Sequence, residues 1–175
     1  MIIAYHAIFT THGTWLPNDP RGSYSVEVYN QELRALGAIR YGRQDPQPSK
    51  AALRRFHVSA RPRLKRPPYF IDRTSRPVIA SAFAGVIERL DLTVRACAIM
   101  NEHVHVVVER SGDRIEYLVG QLKGAATGEL GLARTPWARR CWKVFLNGEG
   151  RCGRRSHTSR RTPPWPDSRP RTGRS

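Results

Sequence analysis

One stretch, residues 100–109 with the sequence MNEHVHVVVE, constrains the fold of this chain more than any other. A short turn is followed by alternating residues, and a β-strand directs successive side chains to opposite faces of its sheet. The valines at even positions therefore face a core, and His103 and His105 face the other way. Two imidazoles about 7 Å apart along a strand can supply half of a divalent metal site. Two strand histidines without such a role remain the alternative.

The chain is strongly basic, with 175 residues, a net charge of +16 and a pI of about 11.1. This length suffices for one domain with a core, and this charge favours a polyanionic partner, with nucleic acid first. A generic basic surface is the alternative. The sequence has no apolar run long enough to span a membrane and no signal-peptide pattern at its start. Three cysteines without C-x-x-C spacing argue against a disulfide framework, so we expect a cytoplasmic protein with reduced thiols.

The order of predicted elements defines the fold class. Residues 2–11 are predicted to form a strand, and residues 76–92 form the clearest helix. A strand at 93–100 is followed by a turn at 101–102 and by the strand that carries His103 and His105, which we call the histidine strand. A short last strand ends at residue 146. A second long helix is predicted to begin at Asp113, with Glu116 completing a variant capping box, and to stop near Gly128. This pattern predicts an α+β, ferredoxin-like antiparallel sheet, with helices packed on one face and the histidines on an inner strand.

The region between residues 30 and 68 is harder to interpret. A short helix is expected within 31–39, a loop over 41–50 and weak helical character over 51–56. The proline-rich segment 61–68 carries four positive charges and is expected to be extended. It either follows a phosphate backbone or is a solvated linker.

Several basic and aromatic side chains are candidate DNA contacts. Trp15 and Arg21 lie in a turn-rich loop over 13–23, where they either stack a base and grip a phosphate or close the edge of a core. Lys123, on the second long helix, either reaches a phosphate or is solvated. Basic residues interleave with tryptophans after residue 134, which suits single-stranded or hairpin nucleic acid. The candidates there are Arg139, Arg140, Trp142 and Lys143.

Four segments together resemble the single-tyrosine HUH transposases of insertion sequences and of REP-associated elements. They are YHAIFTTHGTWLPNDPRG (5–22), EHVHVVV (102–108), LKGAAT (122–127) and TPWARRCWKVFL (135–146). The His-x-His spacing alone is a weak signal, whereas the four segments in this order extend over most of residues 1–146. The resemblance implies DNA transposition, and it implies a nucleoid-associated location within the cytoplasm.

The resemblance also implies a mechanism. His103 and His105 would hold Mg²⁺ or Mn²⁺, which polarises a scissile phosphate in single-stranded DNA. A tyrosine on a helix near the C-terminus would attack the phosphorus and form a covalent 5′-phosphotyrosine, with a nearby polar residue completing the metal shell. Members of the family often work as dimers, so a homodimer is a further implication.

The sequence departs from this family after about residue 150. A helix reading roughly Ala-Ile-x-Tyr-Val-Glu-x-Asn-Pro should follow residues 145–146, but residues 151–175 hold eight arginines and no Ile, Leu, Val, Met, Phe, Tyr or Ala. Such a composition predicts a disordered tail after a truncated HUH transposase-like domain at 1–150. One choice of codons for 155–163, shifted by one nucleotide, encodes Ala-Ile-Ala-Tyr-Val-Glu-Lys-Asn-Pro. A frameshift is therefore our hypothesis, and a genuine arginine-rich binding tail is the alternative.

Three functions follow from these observations. The first is a metal-competent transposase fold that lacks its nucleophile; Tyr117, which follows the histidines on a helix, is the best remaining tyrosine, although its position does not match the family's. The second is a non-catalytic protein that binds a DNA hairpin. The third is a metal-dependent phosphoesterase in which water replaces the tyrosine.

Overall fold

The computed structural model describes residues 2–148, which form an antiparallel sheet and four helices. The elements in chain order are β1 (Ile2–Thr10), α1 (Gln31–Arg34), α2 (Lys50–Ala60), a 3-10 turn (Arg61–Arg63), α3 (Ser75–Arg89), β2 (Val94–Ile99), β3 (His103–Glu109), α4 (Ile115–Glu129) and β4 (Trp142–Asn147). The predicted tail and its proposed frameshift at 151–175 lie outside the described residues. Within residues 2–148, no helix is long and apolar enough to cross a membrane.

The four strands form one antiparallel sheet in the order β2-β3-β1-β4. The histidine strand β3 therefore lies between two neighbours, as predicted. In the pairing of β1 with β3, Thr10 lies opposite His103 and Ile8 lies opposite His105. Because directly opposed residues of an antiparallel pair share a face, this register determines which side chains of β1 lie beside the histidines.

The long helices α3 and α4 pack together on one face of the sheet, which confirms the predicted α+β class. The valines at 104, 106 and 108 are buried against them, and Phe9 of β1 contacts Phe83 of α3 at a ring-centroid distance of 6.1 Å. Burial of aliphatic and aromatic side chains from both layers is the main source of stability for such a fold. The helices contribute Ile79, Phe83, Val86, Ile115, Leu118, Val119, Leu122 and Ala126 to this core.

The region before α3 has more helix than the sequence predicted. Helix α2 has eleven residues, and the Ser49 hydroxyl accepts a hydrogen bond from the Ala52 N–H at its start. The segment after it begins with a 3-10 turn rather than extended chain, so that prediction is wrong for 61–63. A second small core made by α1, α2 and the preceding loop explains the difference, because tertiary burial overrides weak local propensity. Its fully buried members are Leu16, Val28, Leu33 and Ala60.

The start of α4 also differs from its prediction. Arg114 is the N-cap residue and makes no side-chain capping bond, so Asp113 and Glu116 do not form the predicted capping box. Glu116 instead forms an ion pair with Lys143 of β4. The helix continues through Gly128 to Glu129, and Gly131, with a φ of +63°, follows it. A glycine in the left-handed conformation is a common helix terminator, and it lies three residues later than predicted.

Candidate metal and nucleic-acid site

Three imidazoles lie together on the sheet face opposite the helices. The rings of His103 and His105 have centroids 4.9 Å apart, closer than the spacing along an ideal strand, and are inclined at 71°. His6 of β1 stacks on His105 at 5.2 Å, and its Nε2 lies 2.9 Å from Nδ1 of His105. The strand pairing therefore places a third histidine beside the predicted pair.

The surroundings favour the neutral form of these imidazoles. Burial lowers the pKa of His105 to about 4, and the neighbouring His103 and His6 add to this effect. Burial also lowers the pKa of His103; Glu102 opposes that shift and Arg21 reinforces it. A neutral imidazole has a nitrogen lone pair available for a metal, so both side chains are in the ligand form at neutral pH.

His103 and His105 meet some of the requirements of a metal site. Nδ1 of His103 is buried and has no hydrogen-bond partner among the described residues, whereas Nδ1 of His105 is engaged by His6. Within residues 2–148, no group of three or more His, Cys, Asp or Glu side chains is arranged to hold a metal ion. The described chain thus offers two adjacent imidazoles and leaves the remaining coordination positions to other donors.

A buried ion network anchors the turn that precedes the histidine strand. Asp19 is fully buried and accepts hydrogen bonds from Nε and Nη2 of Arg21 at 2.9 and 2.8 Å. Nη1 of the same arginine lies 3.3 Å from Oε1 of Glu102, the residue before His103. His57 of α2 is 3.3 Å from the second carboxylate oxygen of Asp19. The network therefore connects the 13–23 loop, α2 and the β2–β3 turn.

The same network accounts for the two candidates in the loop. The guanidinium of Arg21 lies 3.8 Å from the ring centroid of Trp15, and the Trp15 indole N–H donates to the Gly22 carbonyl at 2.9 Å. Most donors of Arg21 are directed at protein acceptors, which gives this side chain a structural role. Trp15 is partly exposed and remains a candidate for stacking.

Two lysine candidates lie on the helix side of the sheet. Nζ of Lys123 donates to the carbonyls of Ala138 and Arg140 at 2.8 and 3.1 Å, and burial lowers its pKa. These two hydrogen bonds hold the segment before β4, and the predicted phosphate contact of Lys123 stays a prediction. Lys143, opposite the buried Ala7, points towards α4 and pairs with Glu116.

The remaining candidates divide between the two faces. Trp142 lies opposite Ile8 on β1, so its side chain shares the face of His105. Arg139 and Arg140 are exposed on the segment that leads into β4. Tyr117 is 48% exposed on α4, and the apolar side of that helix packs on the opposite face of the sheet from the histidines. The structure thus does not bring Tyr117 to the imidazoles.

Comparisons with known proteins give only distant likenesses. No protein-family model matches the chain, and no curated protein matches it in sequence. A REP-associated tyrosine transposase solved with a REP hairpin superposes with a TM-score of 0.47 at 13% identity, over 89% of this chain and 62% of its own. A proposed transposase from Deinococcus radiodurans R1 gives 0.43 at 12% identity, over 89% and 87%. This chain thus spans less than two thirds of the first protein, and neither likeness assigns a reaction, cofactor or partner to it.

Replacing Arg21 by Met tests the buried network. The variant leaves Asp19 buried without its main partner, and we expect the free energy of unfolding to fall by about 3–5 kcal/mol. Arg95→Met is the matched control, because Arg95 pairs with Glu109 on the surface and should contribute about 0–1 kcal/mol. Urea unfolding followed by circular dichroism measures both. Equal losses in the two variants would contradict the assignment.

Acid titration tests the charge of Asp19. Burial alone would raise the pKa of Asp19, but hydrogen bonds from Arg21 and His57 outweigh it and hold that pKa below its usual value. The carboxylate therefore stabilises the fold above about pH 4, and this contribution is lost as the pH falls through the lowered pKa. The difference in unfolding free energy between the wild type and Asp19→Asn should shrink as the pH falls from 4 to 2. A difference that stays constant down to pH 2 would refute a charged Asp19.

Proposed function

We propose that this chain is a DNA-binding protein of the transposase kind, which binds single-stranded or hairpin DNA across the histidine face of its sheet. The observation that carries the proposal is the adjacency of His103 and His105, whose rings lie 4.9 Å apart on an inner strand. Rigid strands hold functional side chains more precisely than loops do, which suits a site that must position a phosphate.

The charge of the chain supports a nucleic-acid partner. The net charge is +16, and residues 130–148 contain basic side chains but no Asp or Glu. Neutralising phosphates releases condensed counterions, which gives sequence-independent affinity and a strong dependence on salt. A homodimer and a location with the nucleoid, both implied by the family resemblance, stay predictions.

We infer that Mg²⁺ or Mn²⁺ is the cofactor. His103 and His105 would hold it, and their lowered pKa values favour neutral imidazoles at neutral pH, each with one unprotonated nitrogen available to a metal. When bound, such an ion supplies polarisation of a phosphate oxygen. His6 orients the His105 ring through its 2.9 Å contact, and the Arg21–Glu102 pair fixes the turn that delivers His103. These neighbours act as positioning residues, as partners of metal ligands commonly do.

The placement of tyrosines favours binding without covalent attachment. All six tyrosines of the chain fall within the described residues, and none of the ring contacts there joins one to His103 or His105. Tyr117 lies across the sheet, and the ring of Tyr24 stacks on Trp142 at the β4 edge of the sheet. We therefore propose that this chain retains the DNA-binding and metal-binding parts of a transposase without a tyrosine placed for attack.

Calorimetric titration with Mn²⁺ tests the metal site. We expect wild-type protein to bind one ion and the His103→Ala/His105→Ala variant to lose at least about tenfold in affinity, because two ligands are removed. Glu109→Gln, on the same face of the same strand, is the control and should bind like the wild type. Unchanged affinity in the double histidine variant would refute the metal assignment.

A labelled DNA hairpin with a single-stranded flank distinguishes the three functions, using the same protein and Mn²⁺. Retarded migration on a native gel, with no band that survives denaturation, supports the proposal. A denaturation-resistant adduct would show that a tyrosine does attack and would overturn the non-covalent part. Release of a 5′-phosphorylated product without an adduct would assign a metal-dependent phosphoesterase, and absence of binding would overturn the proposal as a whole.

A further inference from the structure

Three exposed aromatic side chains form a cluster at the β4 edge of the sheet, which we call the aromatic platform: Tyr24, Tyr41 and Trp142. The rings of Tyr24 and Trp142 are stacked, with centroids 5.6 Å apart and planes inclined at 16°. Tyr41 meets Tyr24 edge to face at 5.6 Å. Their exposed fractions are 53%, 66% and 37% for Tyr24, Tyr41 and Trp142, so much of the ring surface is open to solvent.

The aromatic platform lies on the same face as the histidines. Ile8 of β1 is opposite His105 on one side and opposite Trp142 on the other, so all three side chains share a face. Neighbouring strands are about 4.8 Å apart, which puts His105 and Trp142 roughly 10 Å apart across the sheet. A single-stranded segment of a few nucleotides spans this distance.

The backbone around Tyr24 and Tyr41 holds the platform in place. The Ser23 N–H donates to the Arg40 carbonyl at 2.9 Å, and the Gly42 N–H donates to the Ser23 carbonyl at 2.8 Å. Gly22 has a φ of +92°, and a Cβ atom there would lie 1.8 Å from the Gly42 carbonyl oxygen. Only glycine permits this close approach, which carries Tyr24 and Tyr41 to the sheet edge side by side.

Positive charge surrounds the platform. Arg40 and Arg43 flank Tyr41, Arg139 and Arg140 precede Trp142, and all four side chains are exposed. Aromatic rings interleaved with arginines match single-stranded nucleic acid, because the rings stack bases and the guanidinium groups contact phosphates. Duplex DNA has its bases already stacked and offers the rings no comparable surface.

We propose that the aromatic platform stacks unpaired bases of the single-stranded DNA whose phosphate backbone lies at the histidines. The inference rests on the proposed function and adds to it the residues that select single-stranded over duplex DNA. Tyr24 and Trp142 bind a base through their ring surfaces, so the tyrosine hydroxyl is not required.

Fluorescence anisotropy with a labelled twelve-nucleotide oligo-dT tests the inference. We expect Tyr24→Ala and Trp142→Ala to weaken binding by about 5- to 100-fold each, the range measured for loss of one stacked base. Tyr24→Phe and Trp142→Phe retain a ring and should bind nearly as the wild type does. Tyr29→Ala is the matched control, since Tyr29 is 79% exposed in the same region and makes no ring contact with the platform.

An oligonucleotide with abasic sites separates stacking from charge. It should bind the wild type more weakly than oligo-dT does, whereas the Tyr24→Ala/Trp142→Ala variant should bind the two ligands with nearly equal affinity, because only Tyr41 of the platform remains. Thermal melts by circular dichroism establish that each variant is folded. If the wild type binds oligo-dT and both alanine variants bind it equally well, the stacking role of the platform is wrong but the proposed function stands. Failure of wild-type protein to bind any DNA would overturn the proposed function as well.

Discussion

The two-sided character of β3 is the constraint on which the rest of the structure depends. Its valines at 104, 106 and 108 are buried beneath α3 and α4, so the register of the strand is fixed by the core. A shift by one residue would expose the valines and bury His103 and His105, at a cost in both apolar burial and imidazole desolvation. The packing of the valine face therefore determines the geometry of the histidine face, and the hydrophobic layer holds the histidines in place.

Much of the fold could be predicted because its elements are specified locally. Periods of two and of 3.6 residues marked β3 and α3, and the turn at 101–102 joined β2 to β3. The helices within residues 30–68 could not be predicted in the same way, because they depend on a small separate core rather than on local propensity. The capping prediction at Asp113 was wrong for a related reason: Glu116 has a partner, Lys143, that is remote in sequence.

The site was predictable only where its members are close in sequence. The His-x-His spacing identifies His103 and His105, whereas His6 joins them through strand pairing across about a hundred residues. The structure separates the basic and aromatic candidates, because Lys123 and Arg21 donate to protein acceptors whereas Trp142 lies on the histidine face. A basic side chain in a motif can either bond acceptors within the protein or bind a ligand, and only the fold distinguishes these two roles.

The proposal that the histidine face holds a divalent metal is tested most directly by Mn²⁺-induced line broadening in the NMR spectrum of the isotope-labelled protein. A paramagnetic ion broadens signals of nearby nuclei, so the result locates the ion without altering any residue. At substoichiometric Mn²⁺ we expect the backbone amide signals of His6, His103 and His105 to disappear first, and those of α3 and α4, on the other face of the sheet, only at higher Mn²⁺. Early loss centred on carboxylates elsewhere, or uniform broadening across the spectrum, would contradict a metal site on this face.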